Sequence, residues 1–186
     1  SGAWYNRMGA GSLVEFQFNG FAVPRGARIQ SAFLRLATQS GTTGQLSLRV
    51  RASSFSCGAS VSGSAGTHPS MLAATTKSVA WEPLEWVAAG ITVDSPNLSP
   101  IIEELISGAD WATEGSPGCT LSLLLEHASG SGTRTFYSSA SPILAPKLMV
   151  KWVAPDTKKQ LSWISEMSCS IDVSVNYASA AGNSGR

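Results

Sequence analysis

From Leu13 to Phe18 the chain alternates, with Val14, Phe16 and Phe18 facing one way and Glu15 and Gln17 the other. A period of two marks a half-buried strand. Pro24-Arg25-Gly26 breaks the pattern, and Ile29 to Thr38 resumes it, predicting a strand with Ala32, Leu34 and Leu36 inward. Gln45 to Ala52 repeats the alternation, with Leu46, Leu48 and Val50 inward and Ser47, Arg49 and Arg51 outward. Gly41 to Gly44 between these two reads as a hairpin loop. Residues 53 to 70 are dominated by Ser, Gly and Ala, a long loop with little surface to bury. Short apolar runs follow at Ser78 to Trp81 and Trp86 to Val93, on either side of Pro83. Further strands are predicted at Cys119 to His127, Arg134 to Ser138, Lys147 to Trp152 and Ser170 to Tyr177.

One segment departs from this pattern. Leu98, Ile101, Ile102, Leu105 and Ile106 fall at i, i+3, i+4, i+7 and i+8, the apolar stripe of an amphipathic helix over about 98–107. Asn97 suits its N-cap, Pro100 is tolerated in the first turn, and Gly108 stops it. Glu103 and Glu104 are left on its polar side. Many short strands with frequent turn signals and a single helix predict an all-β fold, an antiparallel β-sandwich closed at one end by the helix. Trp81, Trp86, Trp111 and Trp152 are expected to fill its core, since side chains of that size dominate packing.

Composition narrows the function. Only 13% of the 186 residues are charged, about half the usual share of roughly 25%. The 13 basic and 12 acidic side chains leave a net charge of +1. That is a poor footprint for a nucleic-acid binder, whose affinity comes from neutralised phosphates. No apolar run approaches the ~18 residues of a membrane span. The three cysteines, Cys57, Cys119 and Cys169, show no CxxC spacing. In an oxidising compartment they allow one disulfide, with Cys57 and Cys119 as the pair, plus a leftover thiol. Three separate buried thiols are the other reading.

Several stretches together resemble one family. Leu13-Val14-Glu15-Phe16-Gln17-Phe18, followed by Val23-Pro24-Arg25-Gly26-Ala27-Arg28-Ile29-Gln30-Ser31-Ala32, is similar to the "RF…IP-G-A-x-I-x-S-A-x-L" opening of DNRLRE-type modules. Ser78-Val79-Ala80-Trp81 with Trp86 resembles the family's "V-x-W…W" segment, and Ser95-Pro96-Asn97-Leu98-Ser99-Pro100-Ile101-Ile102-Glu103-Glu104 its "TPDLS-x-I-x-E" helix start. Trp111, Thr135-Phe136-Tyr137-Ser138 and Ala145-Pro146-Lys147-Leu148-Met149-Val150 stand at the remaining landmarks. The resemblance spans about residues 13 to 153. Asn97 replaces the family's usual Asp, and the loop at 53 to 70 is richer in Gly and Ser.

The resemblance implies a jelly-roll β-sandwich of a surface or secreted protein, akin to carbohydrate-binding modules. Residues 1–153 then form the module, 154–169 a linker, and 170–186 a tail. Ser168-Cys169-Ser170-Ile171-Asp172-Val173-Ser174-Val175 resembles the opening strand of a following repeat. The chain thus reads as a fragment lacking its own first strand and carrying one from the next unit. A strand at 170–177 would complete an open sheet edge, its own or a neighbour's. Asn97-Leu98-Ser99 also matches an N-glycosylation sequon, with Pro100 directly behind it.

Catalytic patterns are scarce. His68 and His127 have no HxxxH or HExxH spacing, and no G-x-S-x-G, P-loop or G-x-G-x-x-G occurs. Adjacent Glu103 and Glu104 sit about 100° apart on a helix and cannot flank one glycosidic bond. Asp110 and Glu114 read as loop residues.

Two binding features remain. Arg35, Arg49, Arg51, Lys147 and Lys151 fall at outward positions, a cationic stripe for an anionic glycan or acidic partner if they share a face, and otherwise a solvated surface. Trp4, Tyr5, Phe136 and Tyr137 offer an aromatic platform for sugar rings. Asp94 with loop carbonyls is the one candidate for Ca²⁺, and no other cofactor is implied. The expectation is a non-catalytic, extracellular or cell-surface structural or adhesive module that meets neighbouring copies or modules. The alternative is a carbohydrate-binding module attached to a polysaccharide-active enzyme.

Overall fold

The computed structural model describes residues 5–54, 74–108, 111, 119–154, 167–169 and 177–179. In chain order these form β1 (Tyr5–Met8), β2 (Ser12–Phe21), β3 (Arg28–Ala37), β4 (Ser47–Ser54), β5 (Val79–Trp81), β6 (Thr92–Asp94), α1 (Ser99–Ser107), β7 (Cys119–Ser129), β8 (Arg134–Tyr137), β9 (Lys147–Val153), β10 (Met167–Cys169) and β11 (Tyr177–Ser179). Every strand pairing among them is antiparallel. One sheet has the order β11-β2-β7-β4-β5, a second the order β10-β9-β3-β6, and β1 pairs with β8.

A single apolar core joins the two larger sheets. Val14, Phe16 and Phe18 of β2, Leu48 and Val50 of β4, and Leu121, Leu123 and Leu125 of β7 meet Ala32, Leu34 and Leu36 of β3 and Leu148 of β9. These are the inward positions that the alternation in β2, β3 and β4 predicts. The described residues therefore form an all-β, antiparallel sandwich with one short helix. Trp81, Trp86 and Trp111 are buried in it and Trp152 packs half-buried against it. Trp111 meets Phe21 edge-on at 5.8 Å between ring centroids and donates its indole N–H to Val23 O at 2.8 Å.

Helix α1 buries Ile101, Ile102 and Ile106 against β3 and β4, one strand from each layer, and so closes an end of the sandwich. Full burial of such side chains stabilises by about 1.5–3 kcal/mol each, an upper estimate. Asn97 is not its N-cap: Leu98 holds that position and the helix begins at Ser99. Asn97 sits one residue earlier, where Oδ1 accepts the N–H of Ser99 at 3.1 Å and of Ala32 at 3.0 Å. The side chain thus ties the helix start to β3.

Two other expectations are corrected. Gly41 to Gly44 is not a hairpin, because β3 and β4 belong to different sheets. The segment crosses between the layers, and Thr42 pairs instead with Trp86, exchanging N–H···O bonds of 2.7 and 3.1 Å. Turn chemistry marks where the chain reverses but says nothing about which sheet receives it. Glu15 takes the outward parity of β2 yet is only 2% exposed. Its Oε1 accepts the Ser122 hydroxyl at 2.7 Å and the Gln17 amide at 3.1 Å, which meets the cost of burying a carboxylate.

The segment at the chain's C-terminal end reaches both sheets. β10 is the outermost strand of the four-stranded sheet, on β9, and β11 the outermost strand of the five-stranded sheet, on β2. Met167–Cys169 falls in the expected linker. The strand expected at 170–177 lies, apart from Tyr177, outside the described residues. Among the described residues no helix is long and apolar enough to cross a membrane.

Candidate binding surfaces

The aromatic platform is only partly assembled. In the β1–β8 ladder Tyr5 stands opposite Tyr137, Asn6 opposite Phe136, Arg7 opposite Thr135 and Met8 opposite Arg134. Directly opposed residues share a face. Phe136 and Met8 are fully buried, so that face is the inner one, and Phe136 stacks obliquely on Phe16 at 5.4 Å. Phe136 is a core residue and offers nothing to a ligand. Tyr5, 50% exposed, and Tyr137, half-buried, lie side by side on the other face. Arg7 and Thr135 share that face, two positions the sequence reading missed. Alternation within 134–138 carries the signal, since neighbouring aromatics in a strand point opposite ways. Trp4 lies outside the described residues.

The cationic stripe does not exist as one surface. Arg49 and Arg51 belong to β4 of the five-stranded sheet, whereas Arg35, Lys147 and Lys151 belong to β3 and β9 of the four-stranded sheet. Arg51 pairs with Glu126, and Arg49 stands directly opposite Glu126 in the ladder. Outward parity alone cannot tell two outer faces apart. On the four-stranded sheet the ladder places Arg28 opposite Val153, Ser31 opposite Lys151, Phe33 opposite Met149 and Arg35 opposite Lys147.

Arg35 donates from Nε and Nη2 to the two carboxylate oxygens of Asp94, both at 2.7 Å. This hydrogen bond, with Arg35's charge, holds the Asp94 carboxyl below its usual range against the opposing pull of burial. Both Asp94 oxygens are thus engaged by Arg35. Among the described residues, no group of three or more His, Cys, Asp or Glu side chains is placed to hold a metal ion.

The acidic residues of the helix serve the backbone. Glu103 Oε1 accepts the N–H of Ile29 at 3.2 Å. Glu104 accepts the N–H groups of Thr76 and Lys77 at 2.6 and 2.8 Å and the Thr76 hydroxyl at 2.9 Å. The His127 ring is hydrogen-bonded through Nε2 to Gly130 O at 2.8 Å. His68, Asp110 and Glu114 lie outside the described residues. So does Cys57; Cys119 opens β7 and Cys169 closes β10. The exposed Asn97 has its carboxamide oxygen occupied on both β3 and α1.

A cleft of about 350 Å³ lies between residues 44–47 of the crossing segment, residues 82–85 after β5, Ser129, Gly130 and Arg134. Arg134, only 1% exposed, forms part of its wall. Its guanidinium donates to five carbonyls: Leu84 at 2.9 Å, Thr133 at 2.8 Å, Pro83 at 2.7 Å, Gly44 at 3.0 Å and Thr43 at 3.4 Å. With every donor taken, it fastens loops together and has none left for a ligand. No family model, curated protein or solved structure matches this chain.

Proposed function

We propose that the chain is a non-catalytic structural or adhesive β-sandwich module of an extracellular or cell-surface protein, associating with neighbouring copies or modules. The observation that carries this reading is the position of β10 and β11. The last two strands of the chain sit at one edge of each sheet, β11 on β2 from the far end of the sequence, and an edge is where backbone groups recruit a strand. The DNRLRE resemblance supports the surface setting. The structural employment of Glu103, Glu104, Asp94 and Glu126 supports a non-catalytic role, since each is committed to a backbone group or an arginine.

The test is sedimentation velocity on the full chain over a wide concentration range, with a glycan array run in parallel. Association of copies without saturable glycan binding is the expected result.

The second reading, a carbohydrate-binding module, rests on the Tyr5–Tyr137 pair with Arg7 and Thr135 beside it. Saturable glycan binding that Tyr137→Ala abolishes, with no association of copies, would replace the first reading by this one.

A further inference from the structure

We infer that copies of this chain join head to tail, the β5–β6 connection of one molecule seating on the outer face of the four-stranded sheet of the next. This rests on the adhesive reading above and names the surfaces that meet.

The connection, residues 82–91, carries Glu82 and Glu85 and no basic residue. Leu84 is 85% and Val87 84% exposed. These apolar side chains stand on a well-fastened backbone. Arg134 holds the carbonyls of Pro83 and Leu84, and buried Trp86 pairs with Thr42. The Thr38 hydroxyl donates to Ala88 O at 2.6 Å and accepts the N–H of Ile91 at 2.9 Å, while Gly90 N–H donates to Thr38 O at 2.6 Å. A segment ordered before binding loses little freedom on binding.

The receiving face has the complementary character. Leu34 and Leu148 point inward, so Phe33 and Met149, opposite one another in the ladder, point outward, and both are half-buried. Lys147 and Lys151 flank Met149 on the same face of β9, about 13 Å apart by strand geometry. Arg28 extends the cationic border on β3. Among the described residues Arg28, Lys147 and Lys151 have no ion-pair partner, whereas Arg35 is matched by Asp94.

Exposed Leu84 and Val87, on a segment whose charges are Glu82 and Glu85 (the latter also accepting the Gly44 N–H at 2.8 Å), thus complement Phe33 and Met149 bordered by cations. Such complementarity steers encounter and fixes register. The connection is fastened along the flank where β5 and β6 form the sheet edges, so it meets the outer face only on another molecule. A contact between two different surfaces repeats from copy to copy.

The test uses sedimentation velocity of the full chain at low and high salt. Association should weaken with salt, because exposed charges are screened. Lys147→Glu/Lys151→Glu alone and Leu84→Ser/Val87→Ser alone should each weaken association at least tenfold. Mixed one to one, the two variants retain one intact connection and one intact face, and should form a dimer that grows no further. Association that survives both variants but changes with Ser168→Pro or Ala178→Pro would overturn this inference and leave the adhesive reading standing. Absence of association at any concentration would overturn both. Saturable binding of a polyuronate or acidic peptide, lost in Lys147→Glu/Lys151→Glu without any association of copies, would also overturn it.

Discussion

Arg134 Nη2 donates to Pro83 O at 2.7 Å, linking β8 to the β5–β6 connection across 51 residues of sequence. The other donors of the same guanidinium reach Leu84, Thr43, Thr133 and Gly44. Burial lowers the guanidinium's pKa, with the charge of Glu85 opposing, so five carbonyls solvate a cation that water barely reaches. Arg134→Ala leaves those carbonyls without their partner and should cost about 3 kcal/mol or more. Arg134→Lys should lose at least half as much, because an ammonium has three donors and no planar fork. Urea unfolding of the three proteins measures both values.

Acid should destabilise the fold through two named carboxylates. Asp94 lies below its ordinary 3.8 because Arg35 hydrogen-bonds it. For Glu104, burial pushes the carboxyl up, but the N–H groups of Lys77 and Thr76, the Thr76 hydroxyl and the Lys77 charge outweigh it and leave the group below its ordinary 4.5. A depressed folded-state pKa means the unfolded chain binds the proton more readily, so the contribution is complete above the ordinary values. It is lost as pH falls through the folded-state values. Melting temperature followed from pH 6 downward, an interval of roughly three units, should decline, and Glu104→Gln should flatten that decline. An unchanged acid limb in the variant would contradict the assignment.

Close backbone approach leaves no room for a side chain at Gly132, which packs against the crossing segment. A Cβ there would lie 2.4 Å from Gly44 O and 2.7 Å from Gln45 O, and Gly132 N–H already donates to Gln45 O at 2.7 Å. Gly20 poses a different problem, with φ at +73° and open space around it. Gly132→Ala should cost about 3 kcal/mol through overpacking. Gly20→Ala should cost about 1–2 kcal/mol through its left-handed backbone alone. Thermal unfolding of the two variants should rank them in that order.

Alternation and helical spacing made most of the framework legible. Val14, Phe16 and Phe18, then Ala32, Leu34 and Leu36, then Leu46, Leu48 and Val50 are all buried as their periodicity requires, and so is the Ile stripe of α1. What local pattern does not encode is which sheet a strand joins. That is why Gly41 to Gly44 reads as a hairpin, and why Arg49 and Arg51 read as neighbours of Lys147 and Lys151. Phe136 and Tyr137 read as one platform for a related reason: residue type says aromatic, while strand parity sends one ring inward and the other out. Arg134 carries no sequence signal as a buried cation, because its partners are main-chain carbonyls, which every residue has. Tyr5 and Tyr137, grouped in one platform by residue type, do stand side by side, but the register that opposes them joins chain segments far apart in sequence.

Sheet edges closed by β10 and β11 are central to this account, and amide hydrogen exchange on the full chain tests them most directly. Within Leu148–Val150 of β9 and Leu13–Val14 of β2, the alternate amides that face β10 and β11, and not β3 and β7, report on those pairings. They should exchange slowly, with protection approaching that of the interior β4–β7 pair, and Ser168→Pro or Ala178→Pro should release the β9 or β2 set respectively. Rapid exchange of both sets in the unaltered chain, at the rate of an open edge, would contradict the account.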